Sequence, residues 1–179
     1  MIFCPLPGIP LITQGFGQNP DRYAPFGMKG HDGIDFETVD GTQIYAPHDG
    51  VATVKDDGAN NYGLHLIIDD GKRRSVLAHL SEVKVQSGQQ VYQGDPVCKA
   101  GSSGNSTGSH LHWTFKILKN GVVQNKDNGY NGAMDVTELT RLWLDQDLHF
   151  DAEYSDEAKA YLSMTFTDKE YLKNPSRTA

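Results

Sequence analysis

From Pro10 to Val123 the chain alternates short apolar runs with turn residues, and no apolar run is long. PLITQGF (10–16) opens apolar and ends in glycines, which predicts an edge strand entering a turn. QNPDRYAPFGMKG (18–30) has no sustained period and reads as a loop. Ile34 and Phe36 then alternate up to Asp40-Gly41, followed by QIYAP (43–47), Asp49-Gly50 and VATV (51–54). Asp-Gly between β-prone runs signals a hairpin, so both pairs are expected to close one. GLHLII (63–68), Asp70-Gly71 and SVLAHL (75–80) predict another hairpin, as do His110 to Leu118, Asn120-Gly121 and Val122-Val123. Short strands are also expected at 83–85, 91–92 and 97–100.

After Gly132 the period changes. Val136, Leu139, Leu142 and Trp143 recur at helical spacing, and Ser155 to Leu162 carries helix-start chemistry. The expected organisation is a mainly β domain over 1–132 and an acidic helical extension over 133–179. At 179 residues the chain fits one domain with an appendage and can bury a core without staples. The 19 glycines and 8 prolines support a fold of many short strands and turns.

Charge narrows the function classes. The formal net charge is -7, and no Lys/Arg cluster offsets it, which argues against a nucleic-acid partner. Arg73-Arg74 in DDGKRR reads as a solvated hairpin tip. No apolar stretch approaches the roughly 18–20 residues that span a bilayer. MIFCPLPGIPLIT lacks a basic start and is broken by prolines, so no secretory signal is expected there. Cys4 and Cys98 have no CxxC partners and are expected as buried free thiols, with a single disulfide as the alternative.

The candidate chemistry sits in SSGNSTGSHLHWTF (102–115). On a strand His110 and His112 share one face, and Leu111 points to the other. HDGID (31–35) offers a further imidazole and a carboxylate four residues apart. A catalytic zinc site uses three protein ligands and one open position. His31, Asp35 and one of His110 and His112 supply that number. No HExxH motif is present. His48 in a Pro-His-Asp-Gly turn reads as exposed, His65 as a solvent-facing strand position, and His149 as part of the extension. Tyr23 and Phe26 either wall a cleft or anchor their loop to the core, with anchoring favoured. Gly101 to Ser109 is not followed by Gly-Lys-Ser/Thr, so it is no phosphate cradle, and it is too short and embedded to be a linker. It reads as a backbone-rich wall for an extended peptide.

The motifs together resemble the lysostaphin-type, or LytM-like, zinc endopeptidases that cut cell-wall peptidoglycan. The matching text is HDGID (31–35), GTQIYAPHDGVATV (41–54), LAHLSEVKVQSGQQVYQGDPV (77–97) and GSSGNSTGSHLHW (101–113), in family order between Ile12 and Ile117. The resemblance implies an antiparallel β-sheet or sandwich with a groove walled by loops. By position it makes His31, Asp35 and His112 ligands of one Zn²⁺, and gives His79 and His110 non-ligand catalytic roles. Zinc would lower the pKa of bound water from about 15.7 toward 7, and a histidine is the available base in place of a glutamate. The substrate implied is a stem or cross-bridge peptide of bacterial peptidoglycan.

There are departures from the family pattern. Leu77 replaces a usual Tyr, Leu64 or His65 stands where an Asn often follows Tyr-Gly, and Thr114 and Phe115 replace an aromatic-Glu pair. None is a ligand position. The alternative reading is a catalytically silent member that binds wall or partner as an activator or virion component. A lipoyl-type carrier domain, suggested by APHDGVA, lacks a lysine at a hairpin tip. GFGQNPDRYAPFGMKGHDGID is similar to phage-borne members. The setting expected is therefore release by lysis, or carriage on a phage particle with the extension docking to it.

Overall fold

The computed structural model describes residues 2–7 and 10–137. Among the described residues eleven strands build two antiparallel sheets. In chain order they are β1 (Ile12–Gln14), β2 (Ile34–Glu37), β3 (Gln43–Tyr45), β4 (Gly50–Asp56), β5 (Leu64–Asp69) and β6 (Arg73–Ala78). They continue as β7 (Leu80–Val83), β8 (Gln90–Val91), β9 (Pro96–Ala100), β10 (His110–Lys119) and β11 (Val122–Val123). The larger sheet runs β1-β2-β10-β6-β5-β4-β8 with β11 on β10, and the smaller runs β3-β9-β7. The mainly β, antiparallel reading holds. The loop over 18–30 adds one short helix, Pro20–Tyr23, and a single 3₁₀ turn, Ala24–Phe26.

The ten-residue β10 is the axis of the domain. Leu111, Trp113 and Phe115 alternate along it and are fully buried, together with Ile34 and Phe36 of β2, Leu66 and Ile68 of β5 and Leu77 of β6. Ile44, Leu80 and Val97 of the smaller sheet are equally inaccessible. Burying a side chain of this size is worth about 1.5–3 kcal/mol, so this apolar face fixes the register of β10.

Turn chemistry corrects two expectations. Asn120 and Gly121 both take positive φ (52° and 74°), as a tight hairpin turn demands, and they join β10 to β11. Asp70-Gly71 likewise joins β5 to β6. Asp40-Gly41 closes no hairpin: β2 pairs with β1 and β10, whereas β3 pairs with β9. Ile44 finds its buried place opposite Cys98, so burial overrides the local turn signal. Asp49-Gly50 does not close one either, since β4 pairs with β5 and β8.

Two histidines also depart from expectation. His48 is buried, with its Nδ1–H donating to the Asp49 carbonyl (2.7 Å) and its Nε2 3.0 Å from Ser75 Oγ. His65 is buried beside the edge of the Tyr62 ring, and its Nδ1–H donates to the Gly63 carbonyl (2.8 Å). Cys4 and Cys98 are free, buried thiols, and burial pushes both thiol pKa values up. Arg73 and Arg74 pair with Asp70 and Asp69 beside their turn.

The chain stays on the sheet past 132. Ala133 bridges to Lys116, and Val136 is buried. Leu139, Leu142, Trp143, His149 and the helix expected at 155–162, with any docking role of the extension, lie outside the described residues. Among the described residues no helix is long and apolar enough to cross a membrane.

Candidate active site

The site follows from strand register. β2 and β10 run antiparallel with Asp35 directly opposite His112, so both side chains leave the sheet on one face. Phe36 and Leu111, the next pair along, point into the core. His31 precedes β2 and is tied at its backbone: its N–H donates to the Gln18 carbonyl (3.0 Å), and its carbonyl accepts from Gly17 N–H (2.8 Å). Gly33 makes the approach possible. A Cβ there would stand 2.6 Å from the Trp113 carbonyl oxygen and 2.7 Å from His112 Cε1.

His31 Nε2, Asp35 Oδ1 and His112 Nδ1 form a triangle. Its edges are 3.2 Å from His31 to Asp35, 2.8 Å from Asp35 to His112 and 2.8 Å between the imidazoles. A tetrahedral ion with bonds of about 2.0–2.2 Å sets its ligands roughly 3.3 Å apart, close to these edges. The far nitrogens of both rings are tethered, His31 Nδ1 to the Gly15 carbonyl (3.2 Å) and His112 Nε2 to Thr114 Oγ1 (2.8 Å). With protons on those outer nitrogens, two lone pairs and a carboxylate face one point, which suits a divalent cation. When no ion is present and the facing nitrogens carry protons instead, burial pushes the Asp35 carboxyl upward, but hydrogen bonds from His112 and His31 outweigh it and hold it well below the usual range. His31 is 1%, Asp35 9% and His112 3% exposed, so an ion here would exchange little of its protein shell with solvent.

His79 and His110 stand beside this triangle, with ring centroids 4.6 Å apart. His79 ends the β6 hairpin arm in the left-handed region (φ 60°), a conformation that costs a β-carbon residue on the order of 1 kcal/mol and is typical of functional positions. Its N–H donates to the Tyr62 carbonyl (3.0 Å), and its Nδ1–H to the Ser103 carbonyl (2.8 Å). Burial lowers its pKa to about 4 against the opposing pull of the Ser103 carbonyl, with His112 and His110 lowering it further. His110 Nδ1–H donates to the Gly108 carbonyl (2.8 Å), and its Nε2 is 3.9 Å from Asp35 Oδ2. Each ring therefore keeps a lone pair on Nε2.

A groove of about 530 Å³ opens over these five residues. Residues 105–109 of the Gly/Ser loop line it, which agrees with a backbone-rich wall. The loop is seated by close backbone packing of Gly63 and Gly104, both at positive φ, and by Ser103 Oγ accepting from Leu64 N–H (3.0 Å). Tyr23 and Phe26 also line the groove, and Phe26 is 59% exposed, so they wall a cleft rather than anchor a loop to the core. Tyr23 packs its ring on His31 (5.5 Å), and its hydroxyl oxygen accepts from Gln14 Nε2 (3.0 Å). Sequence reasoning missed Asp32, Tyr62 and Thr114. Tyr62 O–H donates to Asp32 Oδ2 (2.6 Å), and Thr114 stands behind the His112 ring. The second carboxylate of HDGID was the one available signal.

Fold and site together place three residues that could hold one metal ion on one face of an antiparallel sheet. The chain belongs to peptidase family M23, whose profile matches residues 29–128. It is 37% identical over 112 residues to the peptidoglycan DD-endopeptidase ShyB of Vibrio cholerae, covering 60% of this chain and 25% of that protein. To lysostaphin of Staphylococcus simulans it is 36% identical over 133 residues, 67% of this chain and 26% of that one. The solved catalytic domain of that lysostaphin superposes with a TM-score of 0.58 at 25% identity, covering 73% of this chain and 91% of that domain. The catalytic domain of a prophage-encoded M23 protein, EnpA of Enterococcus faecalis, gives 0.54 at 28% identity, covering 69% and 96%. The chain spans 22–31% of the length of the first curated relatives it matches.

Proposed function

We propose that the protein is a zinc-dependent endopeptidase that hydrolyses stem or cross-bridge peptides of bacterial peptidoglycan. The observation that carries this reading is the convergence of His31 Nε2, Asp35 Oδ1 and His112 Nδ1 on one point at the floor of a peptide-sized groove. The names of the relatives, a peptidoglycan DD-endopeptidase and lysostaphin among them, support the substrate class. These three residues would hold one Zn²⁺, which supplies Lewis acidity and a hydroxide-like nucleophile at neutral pH.

The remaining roles follow from proton positions. His110 is the better base: Asp35 Oδ2 lies 3.9 Å from its Nε2 and stabilises the imidazolium that forms on taking a proton. Burial opposes charge on His79, so its Nε2 acts as a fixed acceptor that orients the attacking water. The Tyr23 hydroxyl, its oxygen occupied by the Gln14 amide, keeps its proton for a group in the groove. The loop over 105–109 offers backbone to an extended peptide. The likeness to a prophage-encoded protein favours a phage setting, with action after lysis or from the particle.

The test is mass analysis of fragments released from purified peptidoglycans by zinc-loaded protein beside a His112→Ala control. New amino termini with the wild type alone are expected; equal release by both proteins refutes the assignment.

A further inference from the structure

We propose that Asp32 is a positioning residue for the metal, acting on His112 through Tyr62 and through its own charge beside the ring. The inference rests on the metal-centre reading above. The two carboxylates of HDGID have different surroundings. Asp35 meets the imidazoles, whereas Asp32 is buried and bonded to Tyr62. Burying a carboxylate is costly, and such groups are kept where they neutralise or orient something.

His112 must leave Nδ1 bare to act as a ligand, so its proton sits on Nε2 and is donated to Thr114 Oγ1 at 2.8 Å. Tyr62 donates to Asp32 Oδ2 at 2.6 Å, a short bond to a charged acceptor. The Tyr62 ring lies stacked on the His112 ring, centroids 5.3 Å apart and planes within 28°, so the same residue also fixes the imidazole plane. Asp32 Oδ1 is 3.6 Å from His112 Nε2, too long for a good hydrogen bond but close enough for its charge to favour a proton there. Lys116, on the same face of β10, has its Nζ donating to the Asn131 carbonyl (3.1 Å). The Tyr62 proton meets a carboxylate, and the negative charge of that carboxylate lies beside His112 Nε2. Such an arrangement locks the tautomer and raises the basicity of Nδ1 toward a cation.

Two variants test it, Asp32→Asn, which removes charge and keeps shape, and Tyr62→Phe, which removes the hydroxyl that binds Asp32. The zinc dissociation constant is measured by competition with a chromophoric chelator, and the visible spectrum of the cobalt-loaded protein reports the ligand field. Either variant is expected to bind zinc roughly 10- to 100-fold more weakly and to shift the cobalt bands. Because both act in one chain, the double variant is expected to bind no more weakly than the worse single. Wild-type affinity in Asp32→Asn overturns the proposal, as does a loss confined to metal-free stability, and so do fully additive losses. A wild type that takes up no metal overturns the metal-centre reading and this inference with it, so the two failures are distinguishable.

Discussion

Two buried histidine clusters occupy opposite faces of β10, and they differ in one respect. Behind the strand, Trp113 Nε1–H donates to Ser75 Oγ (3.1 Å), Ser75 O–H to His48 Nε2 (3.0 Å), and His48 Nδ1–H to the Asp49 carbonyl (2.7 Å). Each proton there has one acceptor, and the cluster is complete as it stands. In front, His31, Asp35 and His112 bring three acceptors to within 2.8–3.2 Å of one another, with their outer nitrogens already engaged. Acceptors packed this closely repel unless protons or a cation sit among them, and three of them around one point suit a cation. Burial alone therefore does not mark a functional histidine. Convergent lone pairs do.

The sharpest way to break this contrast is to remove one member of each cluster. Alanine at His31, Asp35 or His112 is expected to abolish stoichiometric metal and lower hydrolysis by about a thousandfold or more, because several kcal/mol of transition-state stabilisation leave with the ion. Metal analysis and turnover on peptidoglycan read both. His48→Gln is expected to keep metal stoichiometry at the wild-type value. Loss of metal in that variant would erase the distinction between the two faces.

A smaller effect separates ligands from their neighbours. His110→Ala and His79→Ala are expected to retain the ion but lose about 10²–10⁴ in kcat, the usual range for a positioned acid or base. Metal content beside single-turnover rates decides it, and a variant that loses both ion and rate would move that histidine into the ligand set.

How much of this was legible in the sequence depends on how local each feature is. The period of two in His110-Leu111-His112 places two imidazoles on one face whatever the rest of the chain does, and the spacing of HDGID limits its partners. Family resemblance implies His112 rather than His110 as ligand, and strand register is consistent with it: His112, not His110, lies opposite Asp35. Nothing local reveals that. His48 reads as a turn residue because Pro47, Asp49 and Gly50 surround it. Its neighbours are Ser75 and Phe115, which lie far away in sequence. Thr114, Tyr62 and Asp32 similarly come from three separated segments, so their meeting around His112 is visible only once β10 is set between β2 and β6. The Asp-Gly pair at 40–41 supplied a turn but not a partner, because partner choice belonged to Ile44 and the burial it required.

Below these in size is the contribution of the rear cluster to stability. His48→Ala leaves the Ser75 hydroxyl and the Phe115 ring facing a hole, and unsatisfied buried groups cost about 1–3 kcal/mol each. Chemical denaturation is expected to show a loss of that order with unchanged metal affinity.

The finest effect is a slope against pH, and it draws on both faces. Burial lowers the His48 pKa, and it lowers that of His79 to about 4, whereas an unfolded imidazole titrates near about 6.5. Below about 6.5 the unfolded chain therefore binds more protons than the folded one, and stability rises with pH through that window. The contribution of both rings is complete above about pH 6.5 and is lost as pH falls, for His79 down through about 4. The measurement belongs in metal-free protein, where no ion competes with protons at the front face. Denaturation midpoints of the wild type are expected to fall between pH 7 and pH 5, and those of His48→Gln to fall less steeply. Parallel curves would mean that His48 carries no shift, and the completeness of its hydrogen-bonded chain, on which the contrast between the two faces depends, would be lost with it.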